Sequence, residues 1–81
     1  MSMLTTVYLM ERYGPRLNME QIGQALGLAS GTLHQRIAHG ALDIPTYVDG
    51  KMRFADARDV AEYLDRLRDE AVRVMRQGVA A

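Results

Sequence analysis

The sequence predicts a mainly α, single-domain protein: two short helices meeting at a steep angle, a two-stranded hairpin, and a long C-terminal helix. Three observations carry that expectation. Apolar residues at Ile22, Leu26, Leu28, Leu33 and Ile37 straddle Gly27, with small Gly23 and Ala25 between them. Asp49-Gly50, flanked by Tyr47-Val48 and Met52-Arg53-Phe54, is a strong short-range hairpin signal. Val60, Leu64, Leu67, Ala71 and Val74 recur at spacings of four and three, an apolar heptad stripe.

The elements can be justified in chain order. Residues 4–13 favour a short helix over a strand, with Thr5 or Thr6 as its cap, a face shared by Leu4, Val7 and Tyr8, and a stop at Gly14-Pro15. Asn18 followed three residues later by Gln21 is a capping-box pattern. It opens a helix from Met19 to Leu26 that buries Met19, Ile22, Leu26 and Ala25. Gly27 ends this helix because glycine enters the left-handed region at little cost. Gly23 is placed where the helices cross, where a side chain would hold them apart. The second helix starts near Ala29 or Ser30, with Ser30 as cap, turns Leu33 and Ile37 inward, and closes at Gly40.

The hairpin is expected as a type I′ turn at Asp49-Gly50, with Lys51 and Arg53 on one side. Asp56 caps the last helix, which continues to about Arg76. Glu62 with Arg66 and Asp69 with Arg73 stand at the favourable i,i+4 order. The domain is assigned to residues 1–77 and a disordered tail to 78–81.

Composition narrows the function. A chain of 81 residues without cysteine holds one modest core, excludes thiol chemistry, and points to a reducing, cytoplasmic setting. No stretch reaches the roughly 20 apolar residues of a membrane span, and the N-terminal region lacks a signal-peptide pattern. His34 and His39, five apart, do not share a helical face, and no nucleophile stands near a base. Neither a metal site, a cofactor, a small-molecule substrate nor an enzyme is expected.

A helix pair of this kind is a common device for placing a helix in the DNA major groove. The candidate DNA-contacting residues are Ser30, Thr32, His34, Gln35, Arg36 and His39 on the second helix, and Lys51 and Arg53 on the hairpin. Gln35 has the geometry to pair bidentately with adenine, Arg36 suits guanine or phosphate, and Ser30 and Thr32 suit bases or phosphate. The plainer alternative is a solvated polar face and an ordinary hairpin with Phe54 in the core. Net charge is zero, unlike many DNA-binding domains. Residues 30–58 nevertheless hold four Lys/Arg against three Asp, while residues 59–81 hold four Arg against five acids. Leu67, Ala71, Val74 and Met75 extend the heptad stripe beyond what so small a core can cover. They are the expected dimerisation residues.

From Met19 to Leu67 the chain resembles the excisionase-like and MerR-like winged helix-turn-helix proteins. The resemblance rests on Ala25-Leu26-Gly27, Thr32-Leu33, Ile37, Gly40, Leu42, Arg53-Phe54, Asp59-Val60 and Tyr63-Leu64. The chain departs from that pattern at Ala29, where a capping serine is usual, and at Arg36, where an aromatic residue is common. Its ends are similar to the phage-derived pyocin-activator family of transcription regulators, through Thr5-Thr6-Val7-Tyr8-Leu9-Met10-Glu11-Arg12-Tyr13-Gly14, Asp59–Asp65 and Glu70-Ala71. These resemblances imply a double-stranded-DNA-binding regulator of transcription in a phage, prophage or plasmid setting, and the heptad stripe adds the expectation of a homodimer. The alternatives are an excisionase-like recombination directionality factor and an adaptor that binds protein instead of DNA.

Overall fold

The computed structural model describes residues 3–78. It is mainly helical, with a small three-stranded antiparallel sheet and a long C-terminal helix. In order, the elements are α1 (Met3–Tyr13), β1 (Arg16–Asn18), α2 (Met19–Leu26), α3 (Ser30–Ala38), β2 (Tyr47–Asp49), β3 (Met52–Asp56) and α4 (Ala57–Arg76).

The strand at residues 16–18 is the main departure from the expected order. The sheet runs β1-β3-β2, with Leu17 opposite Ala55 and Tyr47 opposite Phe54. Three residues carry too little pattern to announce a strand. β1 exists because Leu17 and Ala55, both fully buried, close the core from the sheet side. The hairpin is therefore three-stranded at its base, and only residues 48–53, the turn with the ends of β2 and β3, extend beyond β1.

The turn is also shifted by one residue. Asp49 pairs with Met52, leaving Gly50-Lys51 as the two-residue loop. Only Gly50 has positive φ, at 67°. That is the requirement of a type II′ turn, not the expected I′ turn centred on Asp49-Gly50.

The caps of α2 are as the sequence indicates. Asn18 Oδ1 accepts from Gln21 N at 2.9 Å and Gln21 Oε1 accepts from Asn18 N at 3.0 Å, a complete capping box. Gly27 ends the helix in the left-handed region. Asp56 caps α4, accepting from Arg58 N at 2.9 Å. By contrast, α3 is capped by Ala29, whose side chain offers no acceptor; Ser30 is already the first helical residue and does not cap. Thr5 and Thr6 likewise lie inside α1, which starts at Met3, so neither is its cap.

The core consists of Leu9, Leu17, Ile22, Leu33, Ile44, Ala55, Ala57, Val60 and Ala61. Met19, Ala25, Leu26, Leu28, Ile37, Tyr63 and Leu64 pack around it. In α1 the inward residue is Leu9, while Leu4, Val7 and Tyr8 are exposed, reversing the face expected from sequence. The reason is register against α4. Thr5 Oγ1 donates to Asp65 Oδ1 at 3.0 Å, and Ala57 N donates to the Pro15 carbonyl at 2.9 Å. The two helices thus run antiparallel, with the Thr5–Leu9–Tyr13 side against α4.

Neither expected ion pair forms within α4. The Arg66 side chain reaches away from α4 to donate to both the side chain and the carbonyl of Asp43, at 2.8 and 3.0 Å, two acceptors where Glu62 offers a single exposed carboxylate. Arg73 pairs with Glu70, one turn back, instead of Asp69. At the chain's end, Gly78 N bonds the Met75 carbonyl at 3.1 Å. The rest of the expected tail, 79–81, lies outside the described residues. None of the described helices is long and apolar enough to cross a membrane.

Candidate nucleic-acid interface

Helix α3 is anchored to the core through its apolar side alone. Leu33 is fully buried and Ile37 half-buried, while Ser30, Gly31, Thr32, His34, Gln35, Arg36, Ala38 and His39 are exposed. Close packing against α2 makes this arrangement possible. Gly23 is buried at the crossing, and a Cβ built there would lie 2.9 Å from the Leu28 carbonyl oxygen. Past the helix, Gly40 at φ 65° lets Ala41 N return to the Arg36 carbonyl at 2.7 Å and Gly40 N to that of Ile37 at 3.1 Å. This Schellman-type closure satisfies the last carbonyls without covering the outer face.

The polar side chains of α3 are largely uncommitted. Among the described residues, no hydrogen bond or ion pair engages Thr32, Gln35, Arg36 or His39 through its side chain. His34 is the exception: its Nδ1 lies 2.8 Å from the Ser30 carbonyl. A carbonyl only accepts, so Nδ1 carries the proton and Nε2 is left facing solvent. Ser30 Oγ is 3.4 Å from the same Nδ1.

On the sheet, the outward row is Arg16, Phe54, Tyr47 and Asp49. The Arg16 guanidinium carbon stands 3.8 Å from the Phe54 ring centroid, and its Nη1 donates to Asp49 Oδ2 at 2.8 Å across β3. The Tyr47 and Phe54 centroids are 6.3 Å apart. The Asp49 carboxylate, followed by the Tyr47 hydroxyl, holds the Arg16 pKa above its already high ordinary value. Phe54 is therefore covered by a cation on the sheet's outer face and is not a core residue. The two basic hairpin residues also differ from the expected pair. Lys51 occupies the turn and is exposed, whereas Arg53 is half-buried and donates to Thr46 Oγ1 at 2.8 Å. Alternation along β3 decides this, because Arg53 shares a face with buried Ala55.

Charge pairing separates the basic side chains into two groups. Ion pairs absorb Arg16, Arg58, Arg66, Arg68 and Arg73. Arg53 is bound to Thr46 and Arg12 to the Tyr13 hydroxyl. Among the described residues, Arg36, Lys51 and Arg76 keep cations without a partner. A zero net charge thus coexists with uncompensated cations on α3 and the hairpin tip. No group of three or more potential metal ligands gathers among the described residues.

Compared with known proteins, the chain matches no family model, no curated protein and no solved structure.

Sequence reasoning singled out the exposed face of α3 but missed Arg16. The signal for it is weak: an arginine just after Gly14-Pro15, whose role appears only when β1 pairs with β3. The expected dimerisation residues lie on the outer half of α4, where Leu67, Ala71 and Met75 are exposed and Val74 is half-buried.

Proposed function

We propose that this chain is a winged helix-turn-helix protein that binds duplex DNA as a homodimer. It would place α3 in the major groove and the β2–β3 tip on the adjacent backbone, with no reaction catalysed. The observation that carries the reading is the exposed, uncommitted polar face of α3, held on a buried apolar anchor of Leu33 and Ile37. A helix so mounted can enter a groove without losing contacts to its own domain. Gln35 is the candidate for adenine, and Arg36 and Lys51 are the candidates for phosphate or guanine. Arg53, committed to Thr46, contributes by holding the hairpin's base. Transcription regulation in a phage, prophage or plasmid setting is the biological role this reading carries, on the family resemblance.

The test is fluorescence anisotropy with sheared genomic DNA over a range of salt, followed by selection of bound sequences from a random pool. Affinity should fall steeply with salt, by roughly one unit of log–log slope per phosphate contacted. The double variant Arg36→Ala/Lys51→Ala should flatten that slope, and Gln35→Ala should relax preference at one base position. Absence of binding at low salt overturns the proposal in favour of a protein-binding adaptor.

A further inference from the structure

We infer, building on the DNA-binding reading above, that His34 is a specificity-determining residue. It recognises an amino-bearing base, adenine or cytosine, through Nε2 as an acceptor fixed before DNA arrives.

The backbone sets the chemistry of this ring. His34 Nδ1 lies 2.8 Å from the Ser30 carbonyl oxygen, one turn earlier in α3. That oxygen has no proton to give, so Nδ1 must hold one. The competing group is Ser30 Oγ, which could donate to a bare Nδ1. It stands farther off, at 3.4 Å, and the shorter contact decides. A neutral imidazole carries a single N–H, so a proton on Nδ1 leaves Nε2 as a bare acceptor. The side chain is exposed, and nothing among the described residues meets that nitrogen.

In this His34 differs from the other polar side chains of α3. The helix contains no Asp or Glu. Arg36 only donates, while Ser30, Thr32 and Gln35 both donate and accept. His34 Nε2 is therefore the one pure acceptor that α3 presents. A pure acceptor gains nothing from a phosphate oxygen, which is itself an acceptor. The neutral ring thus adds nothing to non-specific affinity. In the major groove it finds partners. Adenine N6 and cytosine N4 are the amino donors there, whereas guanine O6 and N7 and thymine O4 are acceptors. The base facing Nε2 is thus adenine or cytosine. Guanine or thymine in its place would set lone pair against lone pair.

Placement agrees with this role. The bond to Ser30 draws the ring back over the first turn of α3, and the N-terminal residues of a groove-bound helix are the ones that meet base edges. Gln35, the next residue, points about 100° further round the helix, so the two side chains do not compete for one base edge. The internal bond also orders the ring in advance, which lowers the cost of immobilising it on DNA. His39, whose side chain has no such bond among the described residues, carries no fixed preference.

Two measurements test the proposal. Long-range proton–nitrogen NMR correlation of the free protein, at a pH of about 8 where imidazole is neutral, reads the tautomer without DNA. His34 should show a protonated Nδ1 and a bare Nε2, and His39→Gln identifies its signals, since the chain has only two histidines. Selection from a random duplex pool at the same pH should return one position filled by adenine or cytosine, favoured roughly three- to tenfold, the range of a single net hydrogen bond. His34→Ala should level that position alone. His34→Arg, a pure donor, should turn it to guanine. Both replacements are good helix formers at an exposed site, so the fold should persist, checked by circular dichroism. The salt dependence of His34→Ala should match the parent's, because no phosphate contact is lost.

A tautomer with the proton on Nε2 overturns the proposal. So does a selected profile that His34→Ala leaves intact, or an amino preference that persists in His34→Arg. Each of these leaves the DNA-binding reading standing as long as the parent binds. A parent chain that binds no duplex even at low salt sinks both.

Discussion

Replacing Gly23 by alanine opposes two effects of known sign. In a helix interior alanine is favoured over glycine by about 1 kcal/mol. Against this, the added Cβ would lie 2.9 Å from the Leu28 carbonyl oxygen and 3.9 Å from Leu33 Cδ2. The first contact is shorter than a real Cβ tolerates, and its partner is backbone. Leu28 cannot withdraw freely, because its own N–H donates to the Gly23 carbonyl at 2.9 Å and it leads directly into α3. Relief requires the α2–α3 crossing to open by some tenths of an ångström around fully buried Leu33. Overpacking of this kind costs about 1–3 kcal/mol. The net expectation is a loss of about 1 kcal/mol, or about 4–8 °C in Tm for a domain of this size. Gly31 supplies the control. It is helical and exposed, and an added Cβ there meets nothing within 4 Å. Gly31→Ala should therefore be neutral or stabilising by up to about 1 kcal/mol. Urea unfolding followed by circular dichroism measures both. If Gly23→Ala equals or exceeds the parent in stability, the close crossing that mounts α3 is refuted.

Other perturbations follow from single contacts. Asn18→Ala removes the side-chain half of the capping box, leaving the backbone N–H of residue 18 to donate to Gln21 Oε1, and should cost about 1 kcal/mol, read by the urea midpoint. Arg16→Ala uncovers the Phe54 ring and frees Asp49; an exposed cation–π contact of this kind contributes about 0.5–1 kcal/mol, and thermal melting should show a loss of that order. Arg58, through its side-chain hydrogen bonds, holds the Asp56 carboxyl below the usual aspartate range. The folded-state pKa is therefore the lower one. Its contribution is complete above the ordinary aspartate value and is lost as pH falls through the depressed one. Asp56→Asn keeps a capping oxygen but removes the charge. Stability of this variant should fall less steeply on acidification, as measured by urea midpoints from neutral pH into the acid range.

Much of the chain's local punctuation is legible in its residues. Asn18 with Gln21, Gly27, Gly40 and Asp56 mark helix ends whose chemistry is complete between residues at most five positions apart. The candidate α3 face is legible for a similar reason, since Leu33 and Ile37 at i,i+4 leave the other directions polar. The hairpin is recognisable, but its register is not. Asp49-Gly50 and Gly50-Lys51 both offer glycine to a tight turn, and cross-strand pairing of Asp49 with Met52 chooses between them.

What the sequence by itself determined is where α2 begins and ends, where α3 closes and α4 opens, and which side of α3 is apolar, because caps and helical periodicity act between residues a few positions apart. What only the tertiary structure decided is β1, the direction in which α1 faces, and which cations stay free. Leu17 becomes a strand residue only when Ala55 lies opposite, and α1 turns Leu9 inward because antiparallel packing on α4 brings Thr5 to Asp65. Arg16 and Arg66 are neutralised by Asp49 and Asp43, residues far away along the chain. Such choices depend on contacts between distant segments, and no local pattern encodes them.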